Sequence, residues 1–184
     1  MTPDRIVLYY NIAYSNQTLH IMSSSVTNPF KKHSHSKCIN EALRSAEKLC
    51  GEKNIQLTAL RKRVLELIWS SHKALGAYAI LELLGQEGVK PAPPTVYRAL
   101  EFLLNSGLIH RINSLNAFIG CTHITSQHIG TYFLICKNCN NIQEVQDNVV
   151  DKRILALAER NYFSVSTQAL EISGLCQSCQ QNSP

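Results

Sequence analysis

The first half of the chain repeats its apolar residues at steps of three and four, which is the spacing of an amphipathic helix. This pattern predicts helices at about residues 37–53, from Thr58 onward, and at about 77–86. Thr58 is the expected N-cap of the second helix because its hydroxyl can accept a backbone N–H of the first turn. Cys50 falls on the apolar face of the first helix and is interpreted as a small buried residue rather than a ligand.

A fourth helix is predicted after Pro94, a residue that suits the first turn of a helix. Its apolar stripe has the same spacing and consists of Val96, Ala99, Leu100, Leu103 and Leu104. Gly107 ends the helix, and two short segments of alternating polarity follow at 108–112 and 117–121. Helices followed by a β-hairpin predict a winged helix-turn-helix domain, here over residues 38–121.

The hydrophobic pattern changes after residue 121. The predicted elements are strands at 131–136, 142–146 and 164–172, and a helix at 148–161. The helix has an apolar face that is expected to pack on the sheet, formed by Val150, Ile154, Leu157 and Ala158. The chain is therefore expected to have an α+β fold, in which a hinge at 122–130 joins the N-terminal winged-helix domain to a small α/β domain at 131–184.

The first 37 residues show no periodic apolar face. Such a segment cannot bury enough apolar surface to fold, so residues 1–37 are expected to form a disordered N-terminal extension. Met22 is an alternative start, and in that case residues 1–21 would not be translated.

Two Cys-x-x-Cys pairs lie in the last third of the chain, Cys136/Cys139 and Cys176/Cys179. Two residues between the cysteines allow one tight turn to direct both sulfurs at a shared point, about 2.3 Å from a zinc ion. Two such turns supply four thiolates, and both pairs adjoin predicted strands. The spacing therefore predicts a structural zinc site with four cysteine ligands at the edge of a sheet. Redox disulfides or unrelated thiols are the alternatives.

Composition limits the classes of protein that the chain can represent. It has 184 residues, 45% of them hydrophobic, which is enough for one domain or two small ones with ordinary cores. No apolar run reaches the roughly 18–20 residues of a membrane span, and the short apolar segment near the N-terminus lacks a convincing signal cleavage site. Because the cysteines are spaced for metal rather than for a disulfide framework, a reducing cytoplasm is expected.

Charge is uneven along the chain, whose formal net charge is +5. Lysine and arginine exceed acidic residues over residues 38–113, whereas acids slightly outnumber bases from residue 122 onward. A basic N-terminal half and a near-neutral C-terminal half are typical of a nucleic-acid-binding domain joined to a domain of another kind. A solvated helical surface with a few extra lysines is the alternative.

The outer face of the fourth helix begins with Thr95, Tyr97 and Arg98. Such a helix can enter the major groove of DNA, where Arg98 could make a bidentate contact with guanine worth about 1–3 kcal/mol of discrimination. Thr95, Tyr97 and Tyr78 on the third helix suit phosphates, and the helix N-terminus favours an anion. An ordinary amphipathic helix with one exposed arginine is the alternative.

The residues at 93–104, Pro-Pro-Thr-Val-Tyr-Arg-Ala-Leu-Glu-Phe-Leu-Leu, precede Gly-Leu-Ile-His at 107–110. This run resembles the recognition helix and wing of the ferric uptake regulator superfamily, most of all its zinc uptake regulator branch. The similarity continues through the cysteine motifs at 133–139 and 174–179 and covers residues 38–180.

The resemblance implies a zinc-dependent, DNA-binding transcriptional repressor of zinc-uptake genes, and no enzymatic activity. In relatives, the positions matching Tyr78 and Arg98 contact operator bases, so this role is carried over to those two residues. The C-terminal domain is expected to form a homodimer, whose twofold symmetry implies a palindromic operator in double-stranded DNA. No membrane and no small-molecule substrate is expected among the partners.

A metal-activated repressor also needs a second, weaker zinc site, since a zinc ion that never leaves cannot report on supply. His110, Cys121, His128 and Glu144 are the candidate ligands, which gives one structural and one regulatory zinc per subunit. A ligand from each domain would tie the two domains together when the metal binds. In the simpler interpretation, His110 caps a strand, Cys121 is a buried strand residue and Glu144 lies on the surface.

One position departs from the family pattern, which places the hinge histidine one residue nearer Cys136 than His128 stands. His123 is therefore a possible substitute ligand. The nearest alternative function is an iron- or peroxide-responsive regulator of the same superfamily, against which the soft ligand Cys121 argues. A zinc-binding structural or hydrolytic protein is the alternative of another class. A zinc deaminase would require a His-x-Glu motif and a proline before a cysteine pair, and the sequence has neither.

Overall fold

Helices and strands alternate over the part of the chain that the computed structural model describes, which is Phe30 and residues 35–124 and 130–181. The helices are α1 (His35–Glu52), α2 (Ala59–Trp69), α3 (Ala77–Gln86), α4 (Pro93–Asn105), α5 (Asn148–Arg160) and α6 (Gln177–Gln181). The strands are β1 (Ile109–Ile112), β2 (Ala117–Gly120), β3 (Gly130–Cys136), β4 (Ile142–Val145) and β5 (Gln168–Gly174). Every helix in these residues is too short or too polar to span a membrane.

The first four helices share one apolar core with the base of the β1–β2 hairpin. Thr58 caps α2 as predicted, since its hydroxyl oxygen accepts the backbone N–H of Arg61 at 3.4 Å. Cys50 is buried as expected, at 3% exposure. The most buried residues of α1 are small and recur every fourth position, which allows α2 to approach closely; they are Cys38, Ala42, Ala46 and Cys50.

Helix α1 begins earlier than the sequence pattern indicates. Residues 35–37, which the pattern assigns to a disordered extension, are helical. The His35 ring packs against the His72 ring, with ring centroids 4.7 Å apart, and this contact extends the helix beyond its apolar stripe. Residues 1–29 and 31–34 lie outside the described residues, so the rest of the predicted extension stays a prediction.

The hairpin after α4 is the predicted wing. Gly107 adopts φ +72°, and the N–H of Leu108 returns to the carbonyl of Leu103, so the helix ends in the left-handed turn that glycine favours. β1 and β2 pair antiparallel, and a 3-10 turn at Asn113–Leu115, hereafter the wing turn, connects them. The wing also packs on the sheet formed by β3, β4 and β5, hereafter the back sheet. This contact is a second apolar cluster, formed by Ile112, Ile119, Phe133, Ile135 and Ile142.

The back part contains a three-stranded sheet in the order β4-β3-β5, in which β4 is antiparallel to β3 and β5 is parallel to it. Helix α5 makes the crossover between the parallel strands, as a βαβ connection requires. The last strand begins at Gln168 rather than at the predicted residue 164. Its start is set by pairing, because Gln168 lies opposite Gly130, the first residue of β3.

The prediction that an apolar face of α5 packs on the sheet is wrong in part. All of α5 is described, and none of its residues is buried; Leu157 is 55% exposed. The helix is instead joined to the sheet through Asp151, which accepts hydrogen bonds from the Tyr132 hydroxyl and from the Gln168 amide. Apolar side chains of α5 and β5 are therefore left open, including Val149, Leu157, Leu170 and Ile172.

The segment expected to be a hinge, 122–130, is only partly described. Thr122 is bound to β4 through Glu144, and β3 already begins at Gly130. Residues 125–129 lie outside the described residues. The described ends of this segment are therefore attached to the back sheet, and the domain boundaries at 121 and 131 remain predictions.

Candidate metal centres and recognition helix

Four cysteine thiols meet at one end of the back sheet, where β3 and β5 finish. Cys136 ends β3 and Cys139 follows in the turn to β4, while Cys176 follows β5 and Cys179 lies in α6. Because β3 and β5 are parallel, with Cys136 opposite Gly174, both cysteine turns leave the sheet at the same end. Their sulfur atoms all lie within 4.8 Å of one another, and we call this set the thiol cluster.

The electrostatics of the thiol cluster suit a divalent cation. Burial raises the pKa of Cys136, but backbone N–H groups, that of Cys176 foremost, outweigh burial and lower it to about 6. The neighbouring thiol of Cys176 raises the pKa of Cys179 to about 12, with burial as the second cause. One sulfur is thus ready to ionise while another holds its proton, and a zinc ion would replace the remaining protons. Four sulfur donors fit tetrahedral zinc.

A second cluster lies where the wing meets the back sheet. It consists of His110 on β1, Cys121 directly after β2, and Glu144 on β4, and we call it the junction cluster. Glu144 Oε1 lies 3.2 Å from His110 Nε2 and 4.0 Å from Cys121 Sγ. The His110 Nε2 atom is buried beside Glu144 Oε1 and makes no hydrogen bond of good geometry among the described residues, so a metal could bind it without breaking one.

Glu144 is charged although it is buried, with 1% of its side chain exposed. Burial raises the pKa of Glu144, but the adjacent His110 ring and the donors of Thr122 outweigh burial and lower it to about 2. Burial and the charge of Glu144 raise the pKa of Cys121 to about 12. A divalent cation would neutralise the carboxylate and deprotonate the thiol, so sulfur, imidazole and carboxylate together fit zinc.

The sequence did not indicate the role of Thr122. Its backbone N–H and its hydroxyl both donate to Glu144 Oε2, at 2.7 and 2.8 Å, which leaves Oε1 directed at the other two members of the junction cluster. His123, named above as a possible ligand, places Nδ1 3.5 Å from Glu144 Oε1. The predicted ligand His128 lies outside the described residues.

Trp69 is a second neighbour that the sequence did not indicate. It lines a small cavity of about 20 Å³ together with Glu144 and Thr122. Its ring packs directly on Gly120, where an added Cβ would lie 2.2 Å from Trp69 Cε2. Glycine therefore permits the tryptophan to pack against the strand residue that precedes Cys121.

The four residues expected to contact DNA are all exposed. Thr95, Tyr97 and Arg98 lie on the open face of α4, and Tyr78 lies in the first turn of α3. Tyr78 and Tyr97 line a groove of about 350 Å³ that the wing residues Arg111 and Asn116 also border.

The expected anion preference at the start of α4 receives less support. Pro93 and Pro94 occupy the first two positions and have no N–H, and the N–H of Thr95 bonds to the carbonyl of Ala92. The helix macrodipole remains, but donors that usually bind an anion at a helix start are missing or used.

The fold and the two clusters together define a winged-helix protein with two candidate metal centres. Residues 52–173 match the model of the ferric uptake regulator family, and the chain belongs to that family. The predicted family and fold class are thereby confirmed.

Several individual relatives are zinc regulators by name. The chain is 37% identical over 141 residues to the zinc uptake regulation protein of Escherichia coli strain K12, which covers 76% of this chain and 81% of that protein. It resembles the crystal structure of holo XcZur with a TM-score of 0.71 and 38% identity, over 77% of this chain and 99% of the other. A zinc uptake regulator complexed with zinc and DNA matches with a TM-score of 0.72 and 31% identity, over 82% and 97%.

Proposed function

We propose that this protein is a zinc-dependent DNA-binding transcriptional repressor that controls zinc-uptake genes. It acts as a homodimer on a palindromic operator in the cytoplasm, where DNA is present and thiols stay reduced. The named zinc uptake regulators among its relatives, and the one complexed with zinc and DNA, support this function.

The observation that carries the proposal is that the junction cluster draws its ligands from both parts of the molecule. His110 lies on the first wing strand and Cys121 directly follows the second, whereas Glu144 belongs to the back sheet. A zinc ion bound there favours the arrangement in which the wing and the sheet are in contact. A metal that binds one arrangement more tightly than another shifts the population toward it, which is what a switch requires.

Two zinc ions per subunit have separate roles in this proposal. The thiol cluster, Cys136, Cys139, Cys176 and Cys179, holds the structural ion. The regulatory ion is held by His110, Cys121 and Glu144, and a fourth ligand comes from His128 or from His123. The distance of 3.5 Å between His123 Nδ1 and Glu144 Oε1 supports His123 as a candidate for that position.

The DNA interface is assigned to the open face of α4 and the first turn of α3. Arg98 reads a base edge in the major groove, and Tyr78 also contacts operator bases. Thr95 and Tyr97 contact phosphates. Their exposure, and the shared groove beside the wing, support this arrangement.

The homodimer is assigned to the α/β domain, residues 131–184, with the winged helix at 38–121 as the separate DNA-binding unit. Among the described residues, β5 is an edge strand paired only with β3. The exposed apolar residues of β5 and α5, such as Ile172 and Leu157, offer a surface that a second copy can cover.

An iron- or peroxide-responsive regulator is the second candidate, because the matching family is named for ferric uptake and the relatives include a ferric uptake regulation protein and a peroxide operon regulator. A mobility-shift assay on a labelled palindromic duplex, titrated separately with buffered zinc and ferrous iron, decides between them. Operator binding should rise with free zinc. If affinity rises with ferrous iron but not with zinc, the zinc assignment is wrong.

Trp69 provides a second measurement in the same titration, because it is the sole tryptophan and lines the same small cavity as Glu144. Its fluorescence should change as zinc fills the junction cluster, at the same free zinc concentration at which DNA binding appears. A fluorescence change at a clearly different concentration would separate the junction cluster from the switch.

A further inference from the structure

Glu171 on β5 contacts the wing turn across a long stretch of sequence. Its Oε1 accepts the backbone N–H of Asn113 at 2.6 Å, and its Oε2 accepts that of Ser114 at 3.0 Å. The Ser114 hydroxyl is a third donor to the same carboxylate. One side chain of the back sheet therefore binds two consecutive residues of the wing, 57 and 58 positions away.

The carboxylate of Glu171 suits this contact because the first N–H groups of a helical turn have no partner within the turn. Burial raises the pKa of Glu171, but the donors of Ser114 and Asn113 outweigh burial and lower it below its usual value. The group is therefore charged at neutral pH, and hydrogen bonds to a charged acceptor are stronger than neutral ones.

The wing turn is adjacent to the side of the molecule that carries the proposed DNA interface. Arg111, two residues before Asn113, donates to Asn116 Oδ1 at 2.8 Å across the turn. Both side chains border the groove that Tyr78 and Tyr97 line. A contact that holds the wing turn against β5 therefore also sets where this face of the winged helix lies relative to the sheet.

We propose that Glu171 is a positioning residue for DNA binding. Its carboxylate holds the wing turn on β5 and so fixes the orientation of the winged helix on the back sheet. We call this contact the latch. The inference rests on the proposed function and adds a second connection between the two parts. Unlike the junction cluster, this latch needs no metal. The chain matches holo XcZur and a zinc uptake regulator complexed with zinc and DNA about equally well, with TM-scores of 0.71 and 0.72, which supports the view that the latched arrangement is that of the metal-loaded protein.

The test compares Glu171→Ala and Glu171→Gln with the unaltered protein, on a duplex that the zinc-loaded protein has selected from a random-sequence pool. At saturating free zinc, Glu171→Ala should bind this duplex roughly threefold to tenfold more weakly, the range for loss of one or more net hydrogen bonds. Glu171→Gln should lie between the two, since its amide oxygen can still accept one N–H. Zinc content and dimer mass should not change.

The direction of this effect separates a latch from simple electrostatics. Removing an acidic charge from a DNA-binding protein tightens DNA binding, because repulsion of the phosphates falls. Glu159→Gln is the matched control, since Glu159 is an exposed acid on α5. It should bind as well as the unaltered protein or slightly better. Equal or tighter binding by both Glu171 variants would overturn the latch.

A double-mutant cycle with Asn113→Pro tests whether Glu171 acts through the wing turn, because proline has no N–H to donate to Glu171 Oε1 and suits the first position of a helical turn. If the two residues share one contact, the combined loss of affinity should be clearly smaller than the product of the single losses. Full additivity would overturn the proposal. If the unaltered protein selects no duplex at any zinc concentration, the proposed function itself fails, and the latch fails with it.

Discussion

The thiol cluster and the junction cluster use related ligand chemistry but take their ligands from different places in the fold. All four thiols lie at the same end of the back sheet, where the parallel strands β3 and β5 bring them together. The junction cluster instead combines His110 and Cys121 of the wing with Glu144 of the back sheet. A metal bound by one folding unit stabilises that unit, whereas a metal bound by two units also controls how they are arranged.

The two clusters also differ in how far the protein charges and positions their ligands before a metal binds. In the junction cluster, Glu144 is a buried anion with its second oxygen already occupied by Thr122. In the thiol cluster, Cys136 is the thiol with the depressed pKa, while the pKa of Cys179 is raised. We therefore expect the thiol cluster to depend on its ion for structure, whereas the junction cluster keeps its carboxylate in place without one.

The largest effect is expected from Cys136→Ser. Loss of one thiolate should release the structural zinc and unfold the back sheet, because apparent zinc binding to structural sites contributes about 10–16 kcal/mol at neutral pH. Zinc content should fall by at least one ion per subunit, and the thermal unfolding transition of the back part should disappear. Cys50→Ala, at a buried cysteine far from either cluster in the chain, is the control. A folded variant that keeps full zinc content would contradict the structural role.

Cys121→Ser should leave the structural zinc in place and weaken the zinc response of DNA binding. Removing a direct ligand is expected to raise the half-maximal zinc concentration by more than about 100-fold, beyond the 10–100-fold that outer partners of a metal ligand typically contribute. The measurement is operator binding across buffered zinc, together with zinc content after dialysis. An unchanged midpoint would remove Cys121 from the sensing site.

Arg98→Ala should separate metal binding from DNA binding. Arg98 belongs to neither cluster, so zinc content and dimer mass should be normal. Loss of a bidentate base contact should weaken operator affinity by about tenfold to 100-fold and relax base preference at one position of the site. Arg153→Ala, at an exposed arginine on α5, should have little effect. Normal sequence preference in Arg98→Ala would count against the proposed readout.

Sequence periodicity predicted the elements well because local rules determine them. The four front helices, the Thr58 cap and the wing all follow from apolar spacing and turn residues. The thiol cluster could also be predicted from the sequence, since only two residues separate the cysteines within each pair. The start of β5 was missed because it depends on pairing with Gly130, which no local pattern encodes.

The contacts that connect the two parts were the hardest to predict. Periodicity shows that α5 has an apolar face, but not whether the sheet or a second copy covers Leu157. Thr122 and Glu171 are ordinary polar residues in the sequence, and they matter only because Glu144 and the wing turn lie near them in the fold. Their partners lie 22 and 58 positions away, beyond any helical or strand repeat.

The smallest effect is expected from Thr122→Val, which removes a hydroxyl but keeps the shape of the side chain. The hydroxyl donates to Glu144 Oε2 at 2.8 Å, while the backbone N–H of the same residue donates at 2.7 Å and remains in the variant. Because only one of the two outer hydrogen bonds is lost, the zinc midpoint for DNA binding should rise by about threefold to tenfold, at or below the usual range for such partners.

Thr167→Val, at an exposed threonine before β5, is the matched control and should leave that midpoint unchanged. The thiol cluster should keep its ion in both variants, because neither threonine belongs to it. A shift confined to Thr122→Val would mean that the protein tunes the junction metal through the second oxygen of Glu144. If the zinc midpoint changes equally in both variants, Thr122 has no such role. The two clusters would then differ only in whether their ligands come from one part of the fold or from two.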